Sequence, residues 1–188
     1  MISSVRLKPL NWHPHIAPVE LSEATPQQLE AMKVTPSAKK VSDYVRTLVH
    51  DPESYVARTV LFNAIMYVDG GLARPDRELG ALGASIVNGC IFCAVTHARR
   101  HAELTKNDDV VTALYLDKPE ELGPRDAAIY SFARRLSVTP SEAAPEDIAS
   151  LRSVGMDDIE IIDLIHAISI FGWANRLMHV LGHADSGK

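Results

Sequence analysis

The 188-residue sequence predicts an all-α fold, and three observations carry that prediction. Apolar residues recur at intervals of three and four along most of the chain, the period of a helix that buries one face. Segment after segment opens on a proline or on a Thr, Ser or Asp suited to capping a helix. No convincing run alternates apolar and polar residues as a half-buried strand does, and the β-α-β pattern of a thioredoxin fold is missing.

Residues 1–21 hold Pro9, Pro14 and Pro18 with little periodicity and read as an extended arm. Its Trp12, His13 and His15 would pack on a neighbouring subunit or belong to a loosely ordered tail. Thr25-Pro26-Gln27-Gln28 combines a cap, a proline at the first helical position and a glutamine three residues after the threonine. Val41, Tyr44, Val45 and Leu48 place a helix over residues 37–49. Asp51-Pro52 opens the next, with Val56, Val60, Ala64 and Tyr67 on one face, and Gly70-Gly71 ends it. Pro75 starts a helix that reaches the turn dipeptide Asn88-Gly89. Helices follow over 90–103, 105–116, 124–136 and 145–154, and Gly155 leads into a last long helix over 157–183. Residues 1–50 thus form an arm with accessory helices, and residues 51–188 the main helical domain.

Apolar residues make up 46% of the chain and charged residues 23%, ordinary values for a globular domain. A net charge of −5 argues against a nucleic-acid surface, and the pairs Lys39-Lys40, Arg99-Arg100 and Arg134-Arg135 read as solvated helix faces. The segment before the first prolines has no apolar run, so no secretory signal is expected. Residues 159–181 could span a bilayer by length, but Glu160, Asp163, His166, Asn175, Arg176 and His179 interrupt them. They read as a buried core helix, with His166 a core histidine beside Ile162, Leu164 and Ile165. The expectation is a cytoplasmic protein with no membrane partner.

The chemistry concentrates between Glu78 and His97. The only two cysteines, Cys90 and Cys93, are three apart, which in a cytosolic chain points to redox chemistry or metal binding. With a helix starting near Gly89 they fall in its first turn, where free N–H groups favour thiolate over thiol. Cys90, Cys93 and His97 then share one stripe, and cysteines three apart have Cα atoms roughly 5–6 Å apart, within reach of a disulfide. His97 can accept and return a thiol proton, and Glu78, folded back by the Asn88-Gly89 turn, can hold the imidazole tautomer or supply a proton. Zinc is the rival reading, with the same four side chains as ligands, although structural sites usually draw on a second Cys or His pair. The pairs His97/His101 and His179/His183 have a spacing that could hold a metal, but without matched carboxylates they read as surface or capping residues. Asn175 and Arg176 read as interior hydrogen bonding. No phosphate loop or nucleotide fingerprint is present, so no organic cofactor is implied.

Glu, eleven residues, Cys, two residues, Cys, three residues, His resembles the signature of the alkylhydroperoxidase D-like (AhpD-like) branch of the carboxymuconolactone decarboxylase superfamily. The Gly-Gly-Leu-x-Arg lead-in, Val-Asn-Gly before Cys90, and residues Asn175-Arg176 extend the likeness over roughly residues 50–182. The resemblance implies a helical bundle assembled as a homo-oligomer. It implies a peroxidase in which Cys93 attacks a hydroperoxide, Cys90 resolves it, His97 and Glu78 relay protons, and a dithiol protein or small thiol restores the pair. Some peroxide-reducing relatives carry a histidine where this chain has Phe92, which removes one relay group. A decarboxylase-type acid–base enzyme and a non-enzymatic redox-responsive oligomer are the alternatives.

Overall fold

The computed structural model describes residues 8–33 and 41–185. Among them the chain forms β1 (Asn11–Pro14), α1 (Pro26–Met32), α2 (Asp43–Leu48), α3 (Pro52–Met66), α4 (Arg74–Val87), α5 (Ile91–Thr105) and α6 (Asp109–Tyr115). A 3₁₀ turn (Pro119–Glu121), α7 (Pro124–Ser137), α8 (Pro145–Ser153), α9 (Asp158–Leu181) and β2 (Gly182–Asp185) complete it. Local chemistry sets several boundaries. Thr25 and Gln28 close a reciprocal capping box on α1, Asp51 accepts from the Ser54 N–H, and Asp157 and Glu160 cap α9 in the same way.

Helix α4 is the axle of the bundle. All nine residues from Arg77 through Ser85 are buried, because α5, α7 and α9 surround it. Two glycines let its neighbours close in. A Cβ on Gly83 would sit 2.7 Å from the Ala133 Cβ of α7, and one on Gly80 would sit 2.8 Å from a Leu164 methyl of α9. Arg77, 1% exposed, spends its guanidinium on the carbonyls of Ile65, Val68 and Gly70 and on Asp163, which ties the α3–α4 turn to α9. A second, smaller apolar cluster joins Val19, Met32, Val49 and Tyr55 at the start of α3, so the accessory helices α1 and α2 pack there.

Several elements differ from the sequence reading. Residues 11–14 and 182–185 pair antiparallel, with Asn11 opposite Asp185 and Pro14 opposite Gly182, so the mainly helical fold carries a small two-stranded sheet. The arm expected over residues 1–21 is therefore fastened to its own chain in part; residues 1–7 lie outside the described residues. The last helix stops at Leu181, where the backbone of Gly182 becomes fully extended. The helix expected over 37–49 is shorter, starting after the Ser42 cap, with residues 37–40 outside the described residues. Residues 105–116 are not one helix: Lys106 turns left-handed and the Asn107 side chain accepts from the Asp109 N–H, an Asx turn that restarts the chain as α6. His166, expected in the core, is exposed. The run from Ile159 to Ile165 is apolar almost throughout, so periodicity alone could not say which side faces in; Ile161, Leu164 and Ile168 do.

Candidate active site

Helix α4 ends in a Schellman motif that delivers the first cysteine. Gly89 adopts φ +68°, the Gly89 N–H reaches the Ile86 carbonyl at 3.1 Å, and the Cys90 N–H reaches the Ser85 carbonyl at 2.9 Å. Glycine takes this left-handed turn without strain. Cys90 then serves as the N-cap residue of α5, with Cys93 one turn inside. No capping bond of ordinary geometry forms from its side chain. Both cysteines are free thiols and both are buried, at 4% and 7% exposure, against Met178 of α9.

Behind them lies a buried acid–base pair. The His97 Nδ1 hydrogen-bonds Glu78 Oε2 at 2.5 Å, and Arg74 donates to the other carboxylate oxygen. Burial works to raise the pKa of Glu78, but the hydrogen bond and charge of His97, together with Arg74, outweigh it and hold the carboxyl below its ordinary range. The His97 ring also packs edge-on against Phe171, centroids 4.2 Å apart. One turn on, His101 is buried rather than at the surface; burial lowers its pKa, opposed by Asp126, Asp76 and Glu78.

Helix α9 completes the surroundings of the sulfurs. Asn175, fully buried, accepts from Asn88 Nδ2 at 3.1 Å and donates to Ser85 Oγ at 3.3 Å. Ser85 spends its own proton on the Ala81 carbonyl, so the amide orientation is fixed and the second N–H of Asn175 is left for the thiols. His179, one turn further, donates from Nε2 to the Asn88 carbonyl at 2.9 Å. Tyr44 of α2 packs on the same cluster, and burial pushes its phenol up to about 12. The Tyr44 hydroxyl is buried with no hydrogen-bond partner.

The two thiols are electrostatically unequal. Hydrogen bonding from the Cys93 side chain lowers the pKa of Cys90 to about 6; burial opposes this, while the Cys93 N–H, the charge of His179 and Asn175 add to it. Cys93 moves the other way, raised by the same hydrogen bond, by burial and by the charge of Cys90, with Asn175 and Arg58 opposing. Ionisation of one thiol is thus favoured over ionisation of both, with Cys90 the favoured site. That is the reverse of the order implied by the resemblance.

All four side chains singled out from sequence lie in this region: Glu78 meets His97, and Cys90 meets Cys93. The imidazole of His97 is hydrogen-bonded to Glu78, and Asn175, not His97, is the side chain that bears on both sulfurs. Among the described residues, no group of three or more His, Cys, Asp or Glu is arranged to hold a metal ion. Sequence reasoning missed Asn175, His179, Tyr44 and Trp12 as neighbours of the thiols. Only the i, i+4 spacing of Asn175 and His179 hinted that they share a face.

The site is thus a dithiol at the start of one helix, backed by a buried carboxylate–imidazole pair shared between that helix and the one before it, within a mainly helical bundle. Residues 52–135 match the carboxymuconolactone decarboxylase family. The crystal structure of an alkylhydroperoxidase AhpD core, an uncharacterized peroxidase-related protein from Ralstonia eutropha JMP134, superposes with a TM-score of 0.75 at 26% identity, covering 89% of this chain and 90% of that one. The debrominase Bmp8 shares the fold at 20% identity, with a TM-score of 0.71 over 87% of this chain and 88% of its own. In sequence the chain is 22% identical to the uncharacterized protein YdfG of Bacillus subtilis (strain 168) over 116 residues, 61% of this chain and 79% of that protein.

Proposed function

We propose that this protein is a thiol-dependent redox enzyme that reduces a hydroperoxide through Cys90 and Cys93. A dithiol protein or small thiol then restores the pair. The observation that carries this reading is a pair of buried free thiols at the start of one helix, Cys90 at its N-cap and Cys93 one turn inside, with the Glu78–His97 pair behind them. Glu78 fixes the tautomer of His97: with Nδ1–H directed at the carboxylate, Nε2 is bare and can take a proton or, once protonated, return it. The reading needs no organic cofactor and no metal. It suits a reducing compartment such as the cytoplasm, and a homo-oligomer, for which the outward apolar residues Ile159, Ile162, Trp173 and Val180 of α9 offer a surface.

The test is stopped-flow oxidation of the fully reduced protein by one molar equivalent of hydroperoxide, with the product mapped by mass. Rapid loss of both thiols into a Cys90–Cys93 disulfide is the expected result. Thiols that oxidise no faster than free cysteine would sink the proposal. The His97–Glu78 pair, which stands without the sulfurs, would then favour the acid–base chemistry of a decarboxylase-type enzyme.

A further inference from the structure

Cys90 alone of the two cysteines lines a cleft of about 260 Å³, formed where the start of α5 and the end of α9 meet the β1–β2 pair. Trp12, Phe92 and Met178 give it apolar walls, and His15, His179 and His183 supply its polar groups. No Lys, Arg, Asp or Glu is among its lining residues, so an uncharged organic molecule meets no unpaired charge there. Cys93 is not among the lining residues, and the charge of Arg58 bears on it. The wall is closely fitted: a Cβ on Gly182 would sit 2.3 Å from the Trp12 indole.

His179 reaches the cleft from one fixed direction. Its Nε2–H is held by the Asn88 carbonyl, so Nδ1 is the nitrogen free to carry and give up a proton. Its charge is among the influences that favour the Cys90 thiolate. The cleft thus places one thiol and the imidazole of His179 on the same ligand, while His15 and His183 are hydrogen-bonded to each other and His97 is directed to Glu78.

We infer that Cys90, not Cys93, is the thiol that attacks the oxidant, and that His179 protonates the group that leaves. The Cys90 thiolate donates its electron pair to the terminal oxygen of a hydroperoxide, and the O–O bond breaks. The alkoxide takes the Nδ1 proton of His179 and departs as the alcohol, leaving Cys90 as sulfenic acid. The Cys93 sulfur then attacks the Cys90 sulfur and gives up its proton. The S–O bond breaks, hydroxide leaves as water, and the disulfide awaits a dithiol reductant. The inference rests on the dithiol reading above, since it orders two thiols that must both react.

The order is tested by exposing Cys93→Ser and Cys90→Ser to cumene hydroperoxide in the presence of dimedone, and mapping the adduct by mass. We expect a fast adduct on Cys90 in the first variant, and at least tenfold slower labelling of Cys93 in the second. Brief iodoacetamide labelling of the reduced wild-type protein at pH 7 serves as the check should either variant fold poorly, with Cys90 labelled first. Label on Cys93 first, while the wild type still forms its disulfide, overturns this inference and leaves the dithiol reading standing. A wild type that forms no disulfide overturns both. The role of His179 is read from His179→Gln at pH 8. It should slow oxidation by cumene hydroperoxide on the order of 100-fold, the lower range for general acid catalysis. Reaction with the aromatic disulfide DTNB, whose thiolate leaves without a proton, should stay within about threefold of wild type. Equal slowing of both reactions, or of neither, overturns that role.

Discussion

Replacing Glu78 by Gln removes one charge from the middle of the Arg74–Glu78–His97 chain and leaves its shape. The carboxylate is 1% exposed and accepts from both partners, one on each oxygen. A glutamine can keep only one of these acceptors: with its oxygen on Arg74, its NH₂ must donate to His97 Nδ1, which forces the imidazole into the other tautomer. Each hydrogen bond to a charged group contributes about 1.5–3 kcal/mol. Arg74 is 25% exposed on its side chain and can recover water, so the net loss belongs toward the lower end, about 2 kcal/mol. Folding lowers the affinity of this carboxyl for a proton. Its contribution is therefore complete above the ordinary value of 4.5 and is lost as pH falls below it. Urea unfolding of the reduced wild type and of Glu78→Gln should show a gap of about 2 kcal/mol at pH 7 that narrows as pH falls below 4.5. Peroxide-driven thiol oxidation should slow in the variant, because Nε2 would then carry the hydrogen. A gap that is absent at pH 7, or that persists undiminished at pH 3, would refute the assignment of Glu78 as the charged anchor of His97.

Other perturbations separate local effects. The reduced protein should gain stability from pH 6 to pH 9, since in that window unfolded Cys90 binds a proton that folded Cys90, at about 6 against an ordinary 9.0, has released. Above pH 9 the raised pKa of Cys93 acts in the opposite sense, so stability falls again; Cys90→Ser should abolish the first limb in a pH series of urea midpoints. Asn175→Ala should move the 240-nm thiolate titration to higher pH, because the amide favours ionisation of either sulfur. Gly83→Ala should cost about 1–2 kcal/mol in the same unfolding assay: the Ala133 Cβ cannot rotate aside, and overpacking outweighs the gain in helix propensity. Gly80→Ala should be nearly neutral, since a Leu164 methyl can turn away.

What the sequence disclosed follows from range. The Thr25 box, the Asp51 and Asp157 caps and the Asn88-Gly89 stop act over three or four residues, and their chemistry is visible in the string itself. The approach of Glu78 to His97 needed only one helix reversal, so it was legible too. Asn175 and His179 come to the cysteines through packing across some 85 residues, and their i, i+4 spacing marks a shared face without saying what that face meets. His101 sits on a polar-looking stripe, yet it is buried, with the charges of Asp76 and Asp126 from two other helices bearing on it. The strands 11–14 and 182–185 contain Pro, Gly and His in place of alternating β-branched residues, because each needs only the other as a partner.

That pairing has a consequence for how the molecule opens and closes. The His15–His183 hydrogen bond spans 168 residues of chain, and the His15 N–H to Leu181 carbonyl contact closes a loop of nearly the same size. Contacts of such separation pay their loop-closure entropy only after intervening helices are in place, so the bundle can form before the thiols are walled in. Four residue pairs, all but Gly182 exposed or half-buried, hold the wall, against the many buried side chains that hold α4, so the wall should exchange its amide hydrogens at far lower protection than the bundle. Access to Cys90 should in this way be uncoupled from global unfolding, so that a bulky molecule is admitted or released without disturbing the helices that set the chemistry.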